Sequence, residues 1–184
     1  VILQLNCQLQ TNQEVIVSRA STAENRLNDL HFYVFNAAGE LTGYKKLVAT
    51  ESSPIPTPGP ETVTVKAITG EAYIYALANL NSTIYYLDDA DKNKLTGIDE
   101  ADVAGSSLTR DEFLAIDFKR QYGNASHIIS PNPTDGQFMM SGYLNGGKAV
   151  TITAGTNGAG VISEKQRYKT VQNIGEEYIY HRGR

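Results

Sequence analysis

A single cysteine among 184 residues excludes an internal disulfide. With three histidines scattered at positions 31, 127 and 181, it leaves little material for a Cys/His zinc site. Long hydrophobic runs are missing, and none approaches the roughly 18–20 residues that a membrane-spanning helix needs. No basic stretch followed by an apolar stretch opens the chain, so any export signal is expected to have been removed already. An excess of positive charge is missing too. Sixteen Lys and Arg against twenty Asp and Glu give a formal net charge of −4, which argues against a nucleic-acid partner. Tryptophan is absent, and no internal repeat is visible. What remains, 41% hydrophobic and 20% charged residues, is a globular composition suited to one generous domain.

The chain is rich in short alternating segments. In residues 1–10, Leu3, Leu5, Cys7 and Leu9 alternate with Gln4, Asn6, Gln8 and Gln10. A period of two sets one face on a core and the other in water, as in an antiparallel strand. Residues 30–36 read as a second strand, turned by Gly39 into a returning strand over 41–47. Prolines 54, 56, 58 and 60 lack the amide hydrogen a central ladder needs, so 52–60 is expected to be an exposed, extended loop. A second hairpin is expected over 61–80, turning at Gly70. In its later strand Ala72, Ile74, Ala76 and Ala78 oppose Tyr73, Tyr75 and Leu77, and the small face should pack closely against something bulky. Residues 88–105 are acidic and read as irregular. Thr109 and Glu112 form a capping box that opens a short helix over about 110–119. Residues 138–144 and 148–154 read as strands again. The pattern predicts a mostly β fold, a transthyretin-like or Greek-key β-sandwich of about seven strands with one short helical excursion. Leu3, Leu5, Leu30, Phe32, Val34, Ile74, Ala76, Val150 and Ile152 are its expected core.

Four fragments resemble chemical sites, and each has a plainer reading. Asp89, Asp91, Asn93 and Glu100 fall at positions 1, 3, 5 and 12 of an EF-hand loop. Lys94 stands where the sharp turn wants glycine, so a solvated acidic loop is the better reading and no metal is expected. Gly142, Gly147 and Lys148 have the spacing of a phosphate-binding loop, but Ala149 replaces the Ser/Thr that would hold magnesium, and a strand-like run follows. A hairpin turn is the plainer reading there, and the glycine-rich 155–160 likewise lacks a following helix. Cys7 lies on the apolar face of its strand and reads as core filler, not a nucleophile. The eleven tyrosines suit contact surfaces and β-strands equally well. Tyr85, Tyr86, Tyr143, Tyr178 and Tyr180 are the ones that could face outward. No nucleophile–base or carboxylate pair points to an enzyme, and no cofactor is implied.

Residues 19–41, from Arg19 and Ala20 through Leu30-His31-Phe32-Tyr33-Val34-Phe35-Asn36 to Gly39 and Leu41, resemble the N-terminal domain of the fimbrillins. These are the major fimbrial subunits of Bacteroides- and Porphyromonas-type bacteria. Two further blocks agree in order: residues 71–79 (EAYIYALAN) and 138–142 (FMMSG). The resemblance covers roughly residues 1–154, leaving 155–184 as a divergent tail. Residues 164–184 do not match, and 184 residues leave no room for the family's second β domain. The chain is then either an N-terminal fragment or a shorter, divergent member, with 1–184 one domain. The resemblance implies an exported lipoprotein of the cell surface, carried through the periplasm and outer membrane. An arginine-specific protease would cut between Arg19 and Ala20, free residues 1–19, and let subunits polymerise by exchanging strands. Such exchange suits a sheet edge left open beside an apolar stripe. The resemblance thus implies a structural subunit, or a tip or accessory subunit, of a fimbria; the alternative is a monomeric surface module on the same sandwich that binds a host protein or a glycan.

Overall fold

The computed structural model describes residues 2–5, 27–55, 63–80, 85–116, 119–120, 140–153 and 167–170. In chain order these hold β1 (Ile2–Leu5), β2 (Asp29–Asn36), β3 (Leu41–Val48), β4 (Val63–Lys66), β5 (Gly70–Ala78), β6 (Tyr85–Tyr86), α1 (Asp89–Thr96), α2 (Arg110–Ala115), β7 (Lys119–Arg120), β8 (Met140–Tyr143), β9 (Val150–Ile152) and β10 (Arg167–Thr170). The principal sheet is antiparallel, in the order β10-β8-β5-β2-β3, with β9 also on β5. β1 and β4 form a two-stranded sheet of their own, and β6 and β7 a short ribbon.

Alternation along the strands creates two cores. Leu30, Phe32 and Val34 of β2 lie with Ala72, Ile74 and Ala76 of β5 on one face, against Leu3, Leu5, Val63 and Val65 of the small sheet. This is the interior of a β-sandwich. The alanines of β5 admit the bulk of Phe32 and the two leucines, as their small size predicts. Tyr33, Phe35 and Tyr75 point the other way and are covered by Leu95 of α1, Leu108 and Phe113 of α2. Seven of the eight residues of β2 are therefore buried, as expected of a central strand sealed on both faces. Of the expected core, Val150 alone is half-buried.

The β2–β3 hairpin forms as the sequence predicts, with Gly39 at φ +85° and a register shift between Val34 and Phe35. Residues 61–80 do not make a hairpin. β4 pairs with β1, and the chain crosses to the principal sheet before β5 begins at Gly70, φ +123°. Gly43 sits where β3 passes β4, and a Cβ there would collide with the Lys66 carbonyl and press on Val34.

The stretch after Gly142 is not a hairpin turn either. β8 and β9 run in one direction along the same side of β5, Tyr143 opposite Tyr75 and Val150 opposite Ala72. They form a single strand interrupted by a detour through Asn145, Gly146 and Gly147, all at positive φ. Counted so, the sandwich has seven strands among the described residues, five in one sheet and two in the other.

The acidic middle is more ordered than its composition suggests. The Asp88 side chain accepts the Ala90 amide at 2.8 Å and caps α1, whose first turn carries Asp89 and Asp91 and whose last carries Lys94. Both charge placements suit the helix dipole. α2 opens with the expected capping box, Thr109 with Glu112, but ends at Ala115 and not near 119. Lys119 belongs to β7, opposite Tyr86.

Candidate functional site

The strand β1 and its seat are the most distinctive arrangement in the fold. Leu3 and Leu5 are fully buried beneath the principal sheet, while Ile2 is 56% exposed. The period of two dictates this division. Backbone pairing runs antiparallel from Ile2 opposite Lys66 to Leu5 opposite Val63. Val63 and Val65 enter the same core, while Thr64 and Lys66 face solvent. Burying each leucine contributes about 1.5–3 kcal/mol. Two side chains and one short ladder thus fill a stripe of the sandwich interior. The other residues of the candidate segment, Cys7, Arg19 and Ala20, lie outside the described residues.

The remaining sequence candidates disperse. Asp89 and Asp91 are on α1, which does not wrap them round an ion. Glu100 turns away to β3, where it pairs with Lys45 Nζ at 3.3 Å and accepts the Lys46 amide at 2.7 Å. No group of three or more His, Cys, Asp or Glu side chains suited to a metal gathers among the described residues. Lys148 is exposed and follows the positive-φ detour, with no helix after it. Tyr143 is half-buried. His127, His181, Tyr178, Tyr180 and residues 155–160 lie outside the described residues.

His31 lies within β2 and is tied to two other buried polar side chains. Its Nε2 lies 3.0 Å from Asp29 Oδ1 and its Nδ1 2.9 Å from Tyr44 Oη, all three residues being buried. The same Asp29 oxygen accepts the Leu80 amide at 2.8 Å. Tyr33, beside this group, donates to the Leu95 carbonyl at 2.7 Å and so ties α1 to the sheet. Burial, with the Tyr44 and Asp29 charges secondary, pushes the Tyr33 phenol well above its ordinary range. Burial, then Glu100 and Asp29, does the same for Tyr44. This is a satisfied polar knot closed to solvent, and its chemistry is that of a structural bond. The spacing of Asp29 and His31 on one strand face was the available signal; Tyr44 joins them only through the hairpin register.

The sequence matches the family model described as major fimbrial subunit protein (FimA) over residues 5–175. The chain belongs to that family. Its fold is shared with solved structures at low identity. One is the tip fimbrial protein Mfa3 from Porphyromonas gingivalis with a C-terminal truncation: 16% identity, TM-score 0.55, covering 93% of this chain and 48% of that one. Another is described as a putative polysaccharide binding protein from Bacteroides thetaiotaomicron: 15% identity, TM-score 0.51, covering 91% of this chain and 46% of that one. This fimbrillin-family chain therefore spans just under half the length of those relatives. No curated protein matches it significantly. Among the described residues no helix is long and apolar enough to cross a membrane.

Proposed function

We propose that this fimbrillin-family chain is a structural subunit of a cell-surface fimbria, joined to its neighbours by strand exchange. The observation that carries the reading is the seat of β1: Leu3 and Leu5 are wholly buried, and among the described residues their strand pairs with β4 alone, from Ile2 to Leu5. A strand seated there can leave without dismantling the principal sheet, which is built from other strands. What it leaves behind is an apolar stripe and the unpaired edge of β4, suited to an alternating strand from another subunit. Donation at one end and acceptance at the other is a contact that does not close, so it extends into a filament.

Release requires cutting the chain, and the bond between Arg19 and Ala20 is the proposed place. Arginine suits an acidic protease pocket through a charge-assisted pair, and small Ala20 and Ser21 do not obstruct the following subsites. In this reading an arginine-specific protease is a maturation partner and other subunits are the lasting ones. The test is treatment of the intact protein with such a protease, followed by mapping of the new N-terminus and an assay of polymer length. A new N-terminus at Ala20, and loss of polymer in Arg19→Ala, are expected. Cleavage elsewhere, or normal polymer from Arg19→Ala, would discard this route.

A further inference from the structure

A second site lies at the junction of β5 and α2, away from β1. Arg110 opens α2, and its amide donates to the Gly39 carbonyl at 2.8 Å. Its side chain lies back over the sheet. The guanidinium carbon is 3.7 Å from the centre of the Tyr73 ring, and Nε donates to the Tyr75 hydroxyl at 2.8 Å. Stacking and one directed bond fix the plane of the group, so little freedom remains to be lost when it meets a ligand. Nε is thereby used, and the two Nη groups keep their donors. No carboxylate among the described residues pairs with them. Arg110 and Tyr73 are both only half-buried.

We propose that Arg110, held on Tyr73 and Tyr75, recognises the carboxylate of an acidic sugar, a uronic-acid-bearing oligosaccharide. The guanidinium fork matches a carboxylate in two parallel bonds. Half-buried Tyr143 stands opposite Tyr75 in register, on the strand beside this platform. Topology favours a sugar over a peptide. β5 is paired with β2 along residues 72–78 and with β8 and β9 on its other side except at Tyr73 and Ile74. There the Ile74 carbonyl accepts the Leu144 amide at 3.0 Å, so no long run of free backbone is offered to an extended chain. A ligand here is read by side chains alone. Bulk charge does not supply the attraction either, because the protein carries a formal −4. Recognition is local to one arginine. The site shares no residue with the β1 seat and stands or falls apart from strand exchange.

The test is titration of the whole chain with an oligogalacturonate, followed by calorimetry and by the Arg110 Nε–H resonance in a nitrogen-15 spectrum. A neutral maltooligosaccharide and a poly-glutamate peptide serve as comparators. Binding that moves this resonance, and that weakens about tenfold or more in both Arg110→Gln and Arg110→Lys, is expected, because a bidentate charged bond is lost in each. Equal binding of the neutral sugar overturns the carboxylate, and equal binding of poly-glutamate overturns the sugar. No binding, or undiminished binding by the variants, overturns the site. Should Arg110→Gln fail to fold, Arg110→Lys and the resonance in the unaltered protein decide: a resonance that stays still under saturating uronate overturns the proposal.

Discussion

Gly43 shows how one missing side chain sets the approach of two sheets. A methyl group there meets the Lys66 carbonyl, which is backbone and cannot swing aside. Gly43→Ala should therefore lower unfolding stability by about 1–3 kcal/mol, the usual cost of overpacking, measured by denaturant titration. An unchanged midpoint would mean that β4 can lift from β3 freely. The knot of Asp29, His31 and Tyr44 acts in the same way through polarity. Asp29→Ala strips the partner from a buried imidazole and from the Leu80 amide, and about 2–5 kcal/mol of destabilisation is expected in the same assay. Tyr33 and Tyr44 bear on alkaline stability. Both phenols are held protonated above their unfolded range, so the folded state binds those protons more tightly than the unfolded one. Their contribution is fully present below about pH 10 and declines as pH rises toward their folded values. In urea titrations across alkaline pH, Tyr33→Phe with Tyr44→Phe should show a shallower decline than the parent protein. Parallel declines would contradict the assignment.

At the scale of elements, α2 depends on its cap. Thr109 Oγ1 accepts the Glu112 amide at 3.2 Å, and Glu112 Oε2 accepts the Thr109 amide at 3.1 Å. Thr109→Ala should cost about 1 kcal/mol and loosen the cover over Phe113, detectable as faster amide exchange in residues 110–115. Strands whose side chains alternate cleanly, Ile2–Leu5, Val63–Lys66 and Gly70–Ala78, were legible because a period of two is itself the physical cause of one-sided burial. The capping box was legible for the same reason: the two side chains satisfy the amides directly. α1 was not, because Leu95 is its one buried residue and an apolar stripe is nearly lacking. Which strands pair was hidden as well. Nothing local in residues 61–80 says that β4 prefers β1 to β5, since a crossover and a hairpin share the same glycine. The candidate site was half legible: Leu3 and Leu5 declared their burial, whereas the Arg110 platform joins residues far apart in sequence and no spacing announces it.

For the whole molecule, the proposed function makes β1 a replaceable part of the sandwich. Among the described residues two leucines and a four-residue ladder hold it, and the principal sheet owes its order to other strands. Leaving the Leu3 and Leu5 positions empty should cost several kcal/mol, of the order seen when large core side chains are removed. A strand of the same alternation supplied from outside should restore it, because the seat recognises backbone pairing and two apolar side chains and not a covalent link. The most direct measurement is the thermal midpoint of a chain beginning at Ala20, recorded with increasing amounts of a peptide of residues 1–10. A lowered midpoint is expected without peptide and a saturable rise with it, absent when Leu3 and Leu5 of the peptide are both replaced by Ser. A midpoint that never depends on the peptide would contradict this reading.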